Sequence, residues 1–111
     1  MQVIAVIGDL VGSKALTERA ALQRKLKKQL ERVSKDAKGL ASPYTLTLGD
    51  EFQAVYRGAE SVLGDVVTLL AEIHPVRARF ALGVGALTTR INAQQALGMD
   101  GPAFHQARAA L

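Results

Sequence analysis

The order of strand and helix signals along the chain predicts an α/β (α+β) fold of ferredoxin-like type, βαββαβ with one more helix at the C-terminus. Three observations carry this. Two long stretches, 2–7 and 77–87, have strand patterns. Two amphipathic helical patterns each separate one strand from the next. A tight hairpin joins the middle pair of strands. This order predicts a four-stranded antiparallel sheet, 4-1-3-2, with both helices on one face. The third strand then lies between the first and second, and the end of the first strand lies beside the hairpin.

Each element has its own warrant. Val3, Ile4, Ala5, Val6 and Ile7 form a continuous apolar run, as in a strand covered on both faces. Gly8 and Asp9 end it, and Leu10, Val11, Gly12 and Ser13 form a bend. The first helix is expected to be capped by Thr17, with Glu18 in a first turn where the helix dipole favours an acid. Leu22, Leu26, Leu30, Val33 and Ala37 recur at steps of four and three and form its buried stripe. Gly39 is its natural stop, and Ser42-Pro43 leads into the hairpin.

Residues 44–48 alternate apolar and polar, residues 52–56 are β-rich, and only Gly49, Asp50 and Glu51 lie between them. After Arg57-Gly58, a second helix buries Val62, Val66, Leu69, Leu70 and Ile73, and His74-Pro75 ends it. The last strand places Ala78, Phe80, Leu82, Val84 and Ala86 on one face. Arg77, Arg79, Ala81, Gly83 and Gly85 lie on the other, where the glycines mark a close approach to the backbone. A loop over 88–92, a short turn at 94–97 and punctuation at 98–102 precede the final helix, 103–111.

At 111 residues the chain is long enough for one domain with a real core, and 49% hydrophobic against 22% charged residues fits a folded protein. Without cysteine there is neither a disulfide framework nor a thiolate metal site. No apolar run approaches the ~18 residues of a membrane span, so no membrane partner and a cytoplasmic location are expected. Between Lys14 and Lys38, nine basic residues stand against three acidic ones, a local +6 that leaves −2 for the rest. The simplest reading of that helix is a solvated basic face, and nucleic acid is not expected to bind through this domain alone. The chain is expected to be the N-terminal part of a longer protein.

Asp9 and Asp50 carry the chemistry. The topology brings both to one edge of the sheet, where two carboxylates and nearby backbone carbonyls suit Mg²⁺ or Mn²⁺. Glu51 either adds a further oxygen donor or points to water as an ordinary turn residue. Two such ions ~3.5–4 Å apart stabilise the attacking and leaving oxygens of a phosphoryl displacement. The bend Leu10, Val11, Gly12, Ser13, Lys14 enters a helix and offers backbone N–H groups to phosphate. On the hairpin alone, a plain solvated turn accounts for Gly49-Asp50 equally well.

Three segments taken together resemble the SatD family of bacterial proteins. They are Ile7-Gly8-Asp9-Leu10-Val11-Gly12-Ser13-Lys14, Thr47-Leu48-Gly49-Asp50-Glu51-Phe52-Gln53 and Ala96-Leu97-Gly98-Met99-Asp100-Gly101-Pro102-Ala103-Phe104. More distantly, Asp9-Leu10-Val11-Gly12 with Gly49-Asp50-Glu51-Phe52 is similar to the metal-binding segments of class III nucleotide cyclases and GGDEF diguanylate cyclases. That second resemblance implies a palm domain with Asp9 and Asp50 as metal ligands and Leu10 contributing its carbonyl. It also implies a nucleoside triphosphate as partner, a homodimer, and nucleotidyl-transfer or cyclase-type activity, with Arg108 stabilising charge. The sequence departs from the cyclase pattern at three places. Leu46 stands where adenylyl cyclases carry a base-selecting Lys, no Asn precedes Arg108 on its helix (His105 could substitute, or be an exposed polar helix residue), and Leu48 replaces the first Gly of the GGDEF signature. The alternative is a non-catalytic regulatory or interaction domain, linked to DNA through a further C-terminal part.

Overall fold

A computed structural model describes residues 2–12 and 18–111. Its elements are β1 (Gln2–Val11), α1 (Arg19–Asp36), β2 (Leu40–Leu46), β3 (Glu51–Tyr56), α2 (Val62–Ile73), β4 (Arg77–Ala86) and α3 (Pro102–Ala110). The sheet runs β2-β3-β1-β4, with every neighbouring pair antiparallel. This is the predicted order.

Alternation along the strands builds two different cores. Val6, Leu10, Phe52, Ala54 and Tyr56 face α1 and α2 and pack with Leu26, Leu30, Val33, Leu69 and Ile73. Tyr56 also shares a 3.0 Å hydrogen bond with the Tyr44 hydroxyl and donates one of 2.6 Å to Asp65. Ser61 holds the same carboxylate oxygen at 2.8 Å, so the buried phenols are satisfied. The opposite face carries Val3, Ala5, Ile7 and Val55, which pack with Ala103, Phe104 and Ala107 of α3.

The glycine face of β4 is approached closely, as the alternation predicted, and the element that approaches it is α3. A Cβ at Gly83 would meet the carbonyl oxygen of Ala103 and lie 2.5 Å from the nitrogen of Ala107. Small residues therefore let helix and strand backbones touch. Pro102 opens α3 at a position where a missing N–H costs nothing.

Element ends differ in detail from the sequence reading. The N-cap of α1 is Glu18, with no side-chain cap bond; Thr17, the expected cap, lies outside the described residues. The helix closes at Ala37, two residues before Gly39, whose positive φ of 73° turns the chain into β2. Ser42-Pro43 falls inside β2 and not before it, at a shift in register. Pro43 is tolerated there because β2 is an edge strand and an irregularity already interrupts its ladder.

Candidate functional site

The register of the sheet builds the site. In β1, Asp9 stands opposite Glu51 of β3 on one side and opposite Arg79 of β4 on the other. Side chains directly across a sheet lie on one face, so an acid, a second acid and a base form one row. That face is the one covered by α3. Because α3 begins against Gly85 and passes over Gly83, its C-terminal end points toward this row. Arg108, in the last turn, thereby reaches Glu51.

Four side chains are engaged in two ion pairs. Arg79 Nη2 donates to Asp9 Oδ2 at 3.1 Å. Arg108 grips Glu51 with both terminal nitrogens, Nη2 to Oε1 at 3.1 Å and Nη1 to Oε2 at 3.5 Å. The carboxylates are only 24% and 23% exposed, whereas the two guanidiniums are 61% and 58% exposed. Each arginine thus covers an acid from the solvent side. Ion pairs this accessible contribute ~0.2–1 kcal/mol, little enough to be exchanged for another partner.

The hairpin tip is held from below. Gln23 Nε2 of α1 donates to the Gly49 carbonyl at 2.7 Å, and a guanidinium nitrogen of Arg19 lies 2.9 Å from where a Gly49 Cβ would stand. Gly49 has φ +58°, which suits a residue without a side chain. The Asp50 carbonyl accepts from the Leu10 N–H at 3.0 Å, binding the tip to the end of β1. Asp9 and Asp50 therefore occupy the same edge of the sheet, as the topology implied. Glu51 is the acid in register with Asp9 and is paired with Arg108, so its side chain lies on the face that carries Asp9.

Of the predicted phosphate-binding bend, Leu10 is buried in β1, Val11 ends that strand, and Gly12 follows with φ +73°. Ser13 and Lys14 lie outside the described residues. Leu46 is half-buried and packs into the core with α1, so it does not face the Asp9 row. His105 is exposed and its Nε2 lies 2.9 Å from Asp100, at the start of α3. Asp100 is held below the usual carboxylate range, first by the Gly101 N–H and then by His105. That pair fastens a helix end and stands apart from the Asp9 row.

Arg79 escaped the sequence reading. Its signal was partial: alternation already set it on the glycine face, but the register that puts it beside Asp9 is not encoded locally. The segment around Ala96 proves to be a fastening: Gln53 Nε2 donates to the Ala96 carbonyl at 2.6 Å, and the Ala96 N–H donates to Thr45 Oγ1 at 2.8 Å.

Do these residues suit a divalent ion? Among the described residues no group of three or more His, Asp or Glu is close enough to hold one. Two carboxylates in register, beside a tip carbonyl, match the sparser demand of Mg²⁺, which takes one or two carboxylates and completes its shell with water and substrate phosphates.

The fold has solved relatives. It matches a bacterial light-regulated adenylyl cyclase with a TM-score of 0.73 and 16% identity, over 98% of this chain and 39% of that one. The guanylate cyclase domain of RhGC from Catenaria anguillulae, in complex with GTP, matches at 0.71 and 15%, over 96% and 70%. A dimeric guanylyl cyclase domain from Blastocladiella emersonii matches at 0.70 and 14%, over 97% and 71%. The chain thus spans well under half of the first and about 70% of the other two. No curated protein matches the sequence. At these identities the likeness is one of fold: the four-stranded antiparallel palm with its helices is similar to that of class III nucleotide cyclase catalytic domains. A sequence profile of the SatD family matches residues 3–111, nearly end to end, and the chain belongs to that family.

Proposed function

We propose that this domain binds a nucleoside triphosphate together with Mg²⁺ or Mn²⁺ at the Asp9 row. One observation carries the reading: Asp9, Glu51 and Arg79 stand side by side across three strands, with Arg108 arriving from α3. Asp9 and Asp50 would hold the metal, with Glu51 adjoining. Arg79 and Arg108 match the charge and planar fork of a phosphate oxygen pair. Of the stretch from Leu10 to Lys14, the Leu10 N–H is already given to the Asp50 carbonyl, so N–H groups for the phosphate chain would come from the residues that follow it. A bound divalent ion supplies Lewis-acid charge to the phosphate oxygens. Cyclase-type or other nucleotidyl transfer is a further step of the same proposal, with Arg108 stabilising charge in it, in a homodimer if it assembles as the Blastocladiella domain does.

A second reading has its own support. Both acids in the row are already neutralised by arginine, which suits a palm scaffold kept as a regulatory or interaction domain without nucleotide chemistry. Thermal unfolding with Mn²⁺ and the α,β-methylene analogues of ATP and GTP separates the two. On the first reading, metal plus nucleotide stabilises the folded state by about 2.7 kcal/mol at a hundredfold excess over the dissociation constant. Asp9→Asn with Asp50→Asn abolishes that shift and leaves the ligand-free melting temperature in place, and each single variant loses most of it because the two share a ligand. A full shift in the double variant, or no shift in the wild type, defeats the proposal.

A further inference from the structure

The two helices that share one layer differ in character. On α1 the exposed positions are mostly charged, Arg24, Lys25, Lys27, Lys28, Glu31 and Lys35 among them, as suits a face in water. On α2 the exposed positions are Leu63, Gly64, Val67, Thr68, Leu70 and Ala71, and none carries a charge. Both acids of α2 are engaged on its inner flank. Asp65 accepts from Tyr56 and Ser61, and Glu72 pairs with Arg32 of α1. A helix that is apolar on every side is normally buried on every side. Leu63 and Val67 are nevertheless 68% and 63% exposed. We infer that the outer face of α2 is where a second copy of this chain docks.

The patch continues from the helix onto the sheet edge. Along the sheet, α1 packs on β2 and α2 on β4. Glu72 turns toward α1, and at about 100° per residue Leu63, nine positions earlier, lies on the opposite flank, toward the edge strand. There Leu82 and Val84 share a face with Phe80, which packs into the core beneath the helices, yet Val84 is 53% exposed. Leu63, Val67, Leu70, Leu82 and Val84 together present on the order of 450 Å² of apolar surface, which matches the apolar share of a stable interface, a little over half of about 800 Å² per partner. Charge selects the occupant. Helices that lie on lipid carry Lys and Arg along the polar face, and α2 has neither. A charged partner finds nothing to pair with. A second copy brings the same neutral stripe, so two α2 helices packed across a two-fold axis meet no like charge. The small residues Gly64, Thr68 and Ala71 let their backbones come close. This face lies across the sheet from α3 and the Asp9 row, so the inference is independent of the metal–nucleotide reading.

Sedimentation velocity over a range of micromolar concentrations is the first test. The wild type should pass from monomer to dimer as concentration rises. Leu63→Lys with Val67→Lys should raise the dissociation constant at least about thirtyfold. The circular dichroism spectrum should stay unchanged, because both side chains already lie in solvent. Leu48→Lys is the control for loss of an exposed leucine elsewhere, at the hairpin tip, and should leave the dimer intact. A second measurement does not depend on the fold tolerating two lysines. The chain has no cysteine, so Val67→Cys and Lys28→Cys each introduce a single thiol, one on the proposed face and one on α1. A short bismaleimide should join the Val67→Cys protein to its own copy and leave the Lys28→Cys protein monomeric. A wild type that stays monomeric at every concentration overturns the inference and leaves the face to a different chain. A dimer that the α2 double variant leaves unchanged, or that Leu48→Lys weakens equally, also overturns it. So does cross-linking no greater at position 67 than at position 28.

Discussion

The two faces of the sheet are built on opposite principles. Toward α1 and α2, the strands present Phe52, Tyr56, Leu10 and Val6, and the space is filled by large side chains with an aromatic cluster at its centre. Toward α3, they present Ala5, Gly83 and Gly85, and the helix replies with Ala103 and Ala107, so backbones nearly touch. Size makes the first face a source of stability. Smallness makes the second a place where a helix end is located closely with respect to a strand end, and that is where the charged row lies.

The contrast can be broken at graded cost. Phe52→Ala removes a fully buried ring from the large-residue face and should lower unfolding free energy by about 3–5 kcal/mol, read by urea denaturation. On the small-residue face the damaging change is an addition. Gly83→Ala forces α3 away from β4 and should cost about 1–3 kcal/mol.

A third expectation sharpens the contrast through pH. Burial, chiefly, raises the Tyr44 hydroxyl to about 12, and raises Tyr56 further with help from the hydrogen bond to Asp65. Above pH 10 the unfolded chain releases these protons while the folded one keeps them. Stability contributed by the two phenols is therefore fully present below pH 10 and falls as pH rises through that point, by up to 1.4 kcal/mol per unit for each phenol. Tyr56→Phe should halve that alkaline slope in denaturant titrations between pH 10 and 12; an unchanged slope would show that the loss arises elsewhere. Least of all should be the effect of Arg79→Gln on ligand-free stability, under about 1 kcal/mol, because its ion pair is exposed to solvent.

Strand order and most of the helix stripes were legible because they depend on periods of 2 and 3.6 residues, although Leu70, expected in the buried stripe of α2, is 37% exposed. The place of Asp9, on the edge of the sheet shared with the hairpin, was legible from the strand order. What escaped was the lateral partnership. Whether Glu51 or Asp50 faces Asp9, and that Arg79 flanks it, depends on register, which no short window contains. The shift in β2 around Ser42 and Pro43 escaped similarly, because a bulge is set by what both neighbouring strands demand. Arg108 was reached only through the cyclase resemblance; the ion pair with Glu51 required knowing where α3 rests.

That resting place gives Gly83 a second significance. A guanidinium at the end of a helix reaches as far as its own side chain, measured from wherever the helix axis happens to lie. Here the axis is set by a residue with no side chain at all, pressed against Ala103 and Ala107, the latter next to Arg108 in the chain. Gly83 thus acts as a gauge block: its thinness fixes the gap, and the gap fixes whether Arg108 can close on Glu51. A buried, uncharged position that touches no atom of the charged row would tune its electrostatics by tenths of an ångström.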